Sequence, residues 1–216
     1  MSREAFLHSE TTGVEAHALP SMTLPEHVAR FVPDLILLRH GETEWNRAGR
    51  FQGHRDSPLT SLGRAQAAAM GRLLAGLGIG TRTHRARTSP QPRAVETARL
   101  ALGPLGIRAE PDPRLMEIGM GRWTGLCRSE IDARWPPPPG GEGLFDFYAR
   151  CEGGETLDAV AERAAALLRS LSGPTILVTH GVTLRLLCAA ALGQGRREAG
   201  SYPFRQGQVV RIAGGG

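Results

Sequence analysis

Asp34-Leu35-Ile36-Leu37-Leu38-Arg39-His40-Gly41-Glu42 is a short apolar run cut off by charge and imidazole. Such a run fits a strand buried on both faces, the kind found in parallel sheets. Its polar end falls at the strand's C-terminal edge, where open α/β sheets bind ligands. The pattern recurs at Pro174-Thr175-Ile176-Leu177-Val178-Thr179, again ending in His180-Gly181. Two such strands, if adjacent, bring His40 and His180 together at one sheet edge. The following glycines are expected to let backbone and ligand approach closely.

Outward from these runs, strand and helix signals alternate. Thr60 is a plausible N-cap for a helix over about 61–77, with Ala65, Ala68, Ala69, Leu73 and Leu77 at helical spacing. Ser89-Pro90 is expected to open a second helix through Leu102, and a short strand is expected over 108–110. Residues 136–154, rich in Pro and Gly, read as an irregular excursion over the active-site face. Helices are expected over about 156–171 and 182–192, and a last strand over 208–212. The sum is an α/β fold: a three-layer α/β/α sandwich around a mostly parallel sheet. The segment 81–88, Thr-Arg-Thr-His-Arg-Ala-Arg-Thr, stands where a strand is needed but is too polar for a comfortable buried one.

The 216 residues suit one domain, placed at 34–213, preceded by a flexible extension over 1–33. Met22 offers an alternative translation start within that extension. All 26 basic residues are arginine and the net charge is +5. A GC-rich coding bias accounts for this, as does a preference for phosphate, whose oxygens match the guanidinium fork. The arginines are scattered and have little aromatic interleaving, which argues against nucleic acid as a partner. Cys127, Cys151 and Cys188 form no metal-ligand or CxxC spacing. They fit reduced thiols in the cytoplasm. No apolar window approaches a membrane span or a signal sequence.

Leu38-Arg39-His40-Gly41-Glu42-Thr43-Glu44-Trp45-Asn46 resembles the signature of the histidine phosphatase superfamily, phosphoglycerate mutase-like, branch 1. Further blocks are similar to the family's in the same order. They are Asp56-Ser57-Pro58-Leu59-Thr60 with Leu62-Gly63; Ser89-Pro90 with Arg93-Ala94 and Thr97-Ala98; Leu115 and Glu117 with Gly121, Trp123 and Gly125; Gly153-Gly154-Glu155-Thr156; and Val178-Thr179-His180-Gly181. The similarity spans 34–212.

The resemblance implies a phosphomonoester hydrolase that parks the phosphoryl group of a small metabolite on His40. Arg39, Arg93, His40 and His180 would ring the phosphoryl oxygens. His40 would attack through one ring nitrogen while a backbone carbonyl holds the other. A protonated His180 would stabilise the oxygens. Glu117 would be general acid and then base, with Glu42, Glu44 and Glu155 as rivals. Asn46, Gln52, Gly53 and Gly181 join Arg39, Arg93 and His180 as substrate-binding residues. No cofactor and no metal are expected, and the assembly is expected to be a monomer or homodimer. The reading needs both imidazoles close together and reachable from solvent. Two departures stand out: the polar segment before Ser89, which puts the aim of Arg93 in question, and Gln91 in place of an apolar residue. The alternatives are a bisphosphoglycerate-dependent phosphoglycerate mutase and a non-catalytic phosphate-binding relative.

Overall fold

The computed structural model describes residues 22–23 and 33–213. Six strands form one sheet: β1 (Met22–Thr23), β2 (Leu35–Arg39), β3 (Arg85–Thr88), β4 (Ala109–Pro111), β5 (Thr175–Thr179) and β6 (Val209–Ala213). Their order is β1-β6-β2-β5-β3-β4. The strands β2, β5, β3 and β4 are mutually parallel, and β6 runs antiparallel to β2. Met22 and Thr23 of the expected extension pair in parallel with β6. The rest of 1–32 and the C-terminal glycines lie outside the described residues.

The alternation of strand side chains divides the core. Leu35, Leu37, Leu177 and Val210 pack on one face, against α6 (Leu157–Arg169) and α7 (Gly181–Ala191). Ile36, Leu38, Ile176 and Val178 pack on the other, against α2 (Ser61–Gly76) and α3 (Pro92–Leu102). This is the expected three-layer sandwich. Thr60 caps α2 by accepting from the Gly63 N–H at 2.9 Å. In α3 the proline at the first turn is Pro92, so that helix starts later than Ser89-Pro90 suggested.

The polar segment does form a strand, but only over its last four residues. Ala86 and Thr88 point inward, while Arg85 is exposed. Arg87 reaches Asp112 at 3.0 Å and Ser170 at 3.3 Å. A strand this short, with one polar-satisfied face, needs apolar residues only at alternate positions.

The excursion is less irregular than expected. After α4 (Arg128–Arg134) it carries α5 (Leu144–Ala149). Phe147 of α5 joins Trp123, Ile131 and Val182 in a third apolar cluster. The buried carboxylate of Glu142 ties it down, accepting from Arg150 Nη2 and Arg128 Nη2, each at 2.7 Å. Among the described residues two shorter helices, α1 (Glu44–Arg47) and α8 (Arg196–Ser201), complete the α-helices. Among the described residues no helix is long and apolar enough to cross a membrane.

Candidate active site

Three neighbouring parallel strands end side by side. Arg39 is in register with Thr179, and Thr88 with Val178. The next residues are His40, His180 and Ser89, so the chemistry-bearing side chains collect at one edge. The rings of His40 and His180 lie 5.0 Å apart, centroid to centroid.

A cavity of about 250 Å³ opens at this edge. Arg39, His40, Asn46, Gln52, Gly53, Arg93 and Glu117 all line it. The His40 ring is fixed by its neighbour: Nδ1–H donates to the Gly41 carbonyl at 2.7 Å. That bond assigns the proton to Nδ1 and leaves the Nε2 lone pair available. Burial, then the charges of Arg93 and Arg39, lower the His40 pKa well below 6.5, against the opposing effect of the Gly41 bond. The ring is therefore neutral at physiological pH, as a nucleophile requires.

Arg93 is 1% exposed, and its guanidinium is aimed by acceptors. Nη1 donates to Arg55 O at 2.8 Å and Asp56 Oδ1 at 3.0 Å, and Nη2 donates to Gly53 O at 2.9 Å. Arg39 is anchored by Nη1 to Phe204 O at 2.9 Å. Each keeps a buried Nε–H with no protein partner among the described residues. An unpaired buried donor is costly, and an oxyanion in the cavity would satisfy both. The polar character of β3 has thus not displaced Arg93 from the site.

Glu117 sits against the N-terminus of α7. Its Oε1 accepts from Ile118 N at 3.0 Å, Val182 N at 3.2 Å and Thr183 N at 3.3 Å. Oε2 has only a 3.3 Å contact with Val182 N, so it is the oxygen left to exchange a proton with a guest. The rivals are committed elsewhere: Glu42 accepts from Thr60 Oγ1, Glu44 pairs with Arg47, and Glu155 with Arg163.

The expectations for His180 need correction: both imidazoles were expected to be reachable from solvent, and only His40 lines the cavity. His180 has no exposed surface and does not line the cavity. It is the N-cap residue of α7, and its ring, 5.0 Å from that of His40, has no protein partner on either nitrogen among the described residues. Nor is it protonated in the open site: burial first, then Arg93, His40 and Arg39, push its pKa well below 6.5. Gly181, expected among the substrate-binding residues, packs against Arg39. A Cβ there would stand 3.1 Å from the Arg39 Cζ, so this glycine makes room for the guanidinium. Gly41 likewise accommodates the Gly63 carbonyl, 2.2 Å from where a Cβ would lie. Gln52 lines the cavity and is held by its neighbours, Nε2 donating to Thr43 Oγ1 at 2.9 Å and Oε1 accepting from Ser57 Oγ at 3.1 Å. Asn46 directs Oδ1 at Thr43, whose N–H donates at 3.2 Å.

Tyr148 escaped the sequence reading, and Gln91 was read there only as a departure. Tyr148, on α5, lines the cavity, and its pKa is raised by burial and then by Glu117, so it stays a neutral donor. Gln91 links the two halves of the site. Its Oε1 accepts the Glu117 N–H at 2.8 Å, and its Nε2 donates to Gly53 O at 2.8 Å.

A cup of one buried and one half-buried arginine around a neutral, tautomer-fixed histidine, with a carboxylate at its side, suits an enzyme for phosphoryl chemistry. The model of the histidine phosphatase superfamily, branch 1, matches residues 35–215, and the chain belongs to that superfamily. It is 36% identical over 174 residues to the glucosyl-3-phosphoglycerate phosphatase of Mycolicibacterium vanbaalenii, covering 74% of each chain. It is 37% identical over 213 residues to the 2,3-bisphosphoglycerate-dependent phosphoglycerate mutase of Novosphingobium aromaticivorans, covering 83% of this chain and 92% of the mutase. A mycobacterial glucosyl-3-phosphoglycerate phosphatase in complex with VO3 superposes with a TM-score of 0.68 at 28% identity, over 83% of this chain and 89% of that one.

Proposed function

We propose that the protein is a phosphomonoester hydrolase that works through a phosphohistidine on His40. The observation that carries this reading is the Nδ1–H bond to Gly41 O, which presents Nε2 of a cavity-lining imidazole as a neutral nucleophile. The substrate is a small phosphate monoester, free in the cytoplasm. Nucleic acid and membrane play no part, and the working unit is a monomer or homodimer.

In the first step the Nε2 lone pair attacks phosphorus and the ester P–O bond breaks. Glu117, protonated on Oε2, gives its proton to the departing alkoxide. Arg39 and Arg93 offset the charge on the transferring oxygens. His180, 5.0 Å from His40, becomes easier to protonate once a dianion offsets the arginine charges. In the second step Glu117 takes a proton from water as it attacks phosphorus. The P–N bond then breaks, releasing inorganic phosphate and neutral His40. The arginines supply the positive charge, so excess chelator is expected to leave activity intact.

Rapid acid or alkaline quench during turnover of a labelled monoester tests this. An acid-labile, alkali-stable label on the protein is expected, and none on His40→Ala. A catalytically active protein that never carries label would refute the intermediate.

Similarity to phosphoglycerate mutases supports a second reading, return of the phosphoryl group to another hydroxyl. The chain between Gly125 and Gly153 is short for such an enzyme, which favours entry of water. Phosphate release measured with and without 3-phosphoglycerate separates the two.

A further inference from the structure

Resting on the hydrolase reading, the charge pattern of the cavity narrows the substrate. Three cations line it, Arg39, Arg50 and Arg93. Arg39, half-buried, and Arg93, buried, lie beside His40 and serve the phosphoryl group. Arg50 is the remaining cation on the lining, and it is already paired. Its Nη1 donates to Glu130 Oε2 at 3.2 Å and to the Gly125 carbonyl. Both side chains of this pair keep roughly two-fifths of their surface exposed, 41% and 37%. A second anionic group near Arg50 therefore meets Glu130 as well, and the two fields largely cancel in solvent. Apart from Glu117, what remains of the lining carries no formal charge: the amides of Asn46, Gln52 and Gln206 and the Tyr148 hydroxyl alternate with Phe51, Ile118 and Met120.

We infer that the alcohol portion of the substrate is uncharged, and that carboxylated or doubly phosphorylated monoesters are discriminated against because Glu130 occupies Arg50. This would set the chain apart from relatives whose names specify phosphoglycerate substrates.

Two inert phosphonates of equal length test the inference by calorimetric binding: propylphosphonate and 2-carboxyethylphosphonate. Propylphosphonate is expected to bind about tenfold more tightly. Glu130→Gln should narrow that ratio about threefold or more, by strengthening the carboxylated ligand and leaving propylphosphonate nearly unchanged. Glutamine keeps the acceptor that holds the Cys127 N–H at 2.8 Å, so α4 keeps its start. Equal or tighter binding of the carboxylated ligand to the native protein overturns the inference, as does an unchanged ratio in Glu130→Gln. Phenyl phosphate hydrolysis is followed in parallel. The expected binding order without turnover upholds the inference and sinks the hydrolase reading. Failure of both phosphonates to bind sinks the two together.

Discussion

Gly181 and Arg39 are a matched pair: a methyl group on Gly181 would stand 3.1 Å from both Cζ and Nη2 of the guanidinium. Gly181 is the first residue of α7, where alanine favours the helix by up to about 1 kcal/mol. Gly181→Ala should therefore leave the melting temperature nearly unchanged while pushing Arg39 off its aim. Vanadate, a phosphate mimic, is expected to bind about tenfold more weakly, a loss of about 1.4 kcal/mol. Unaltered vanadate affinity in a well-folded variant would show that Arg39 does not face the oxyanion.

The buried amide of Gln91 connects the acid to the cationic arm, since Gly53 O accepts both Gln91 Nε2 and Arg93 Nη2. Gln91→Leu has about the same volume but breaks both amide bonds, leaving the Glu117 N–H without its acceptor. A loss of kcat of about tenfold to a hundredfold is expected, in line with misplacement of an acid/base group. The pH profile should change shape along with it. Gln91→Glu retains one acceptor but sets a carboxylate against the Gly53 carbonyl, so it should not rescue. A variant that loses stability but keeps native kcat and pH profile would reduce Gln91 to packing.

These cases mark where the sequence was readable. The strands β2 and β5 announce themselves because both faces are buried, which forces continuous apolar runs ending at His40 and His180. The helices α2, α6 and α7 are long enough for a 3.6-residue period to register. By contrast, α4 and α5 have seven and six residues, too few for a period, so Tyr148 and its cavity role went unseen. The strand β3 hid because Arg85 and Arg87 face solvent and an ion pair. The burial of His180 and the packing of Gly181 are tertiary facts: they depend on what covers the strand end and where a guanidinium lies. Gln91 appeared as an anomaly, and only the fold reveals the two hydrogen bonds that account for it.

Glu117→Gln should separate leaving groups. Glutamine keeps an oxygen to accept from Ile118, Val182 and Thr183, so the loop should hold its shape. It cannot deliver a proton. Hydrolysis of an alkyl monoester is expected to slow by about 10² to 10⁴, and p-nitrophenyl phosphate, whose leaving group needs little protonation, by much less. Equal losses on the two substrates would remove Glu117 from the role of acid.

Acid should destabilise the unliganded protein more than the liganded one. His40 and His180 are buried with pKa values pushed well below 6.5, chiefly by burial and then by Arg93. The unfolded chain takes up those protons near pH 6.5, and the folded chain does not. Stability from these groups is thus complete above 6.5 and lost as pH falls below it, at about 1.4 kcal/mol per pH unit for each proton. His84, at the opposite sheet edge and 3.6 Å from Asp34, also has a lowered pKa, mainly from burial, and acts the same way. Urea midpoints between pH 7 and 5 should fall steeply in the apo protein. Saturating vanadate offsets Arg39 and Arg93, so it should flatten the part due to His40 and His180. His84→Leu should flatten the slope equally with and without vanadate. A slope that vanadate leaves untouched would mean that neither imidazole at the site feels the bound oxyanion.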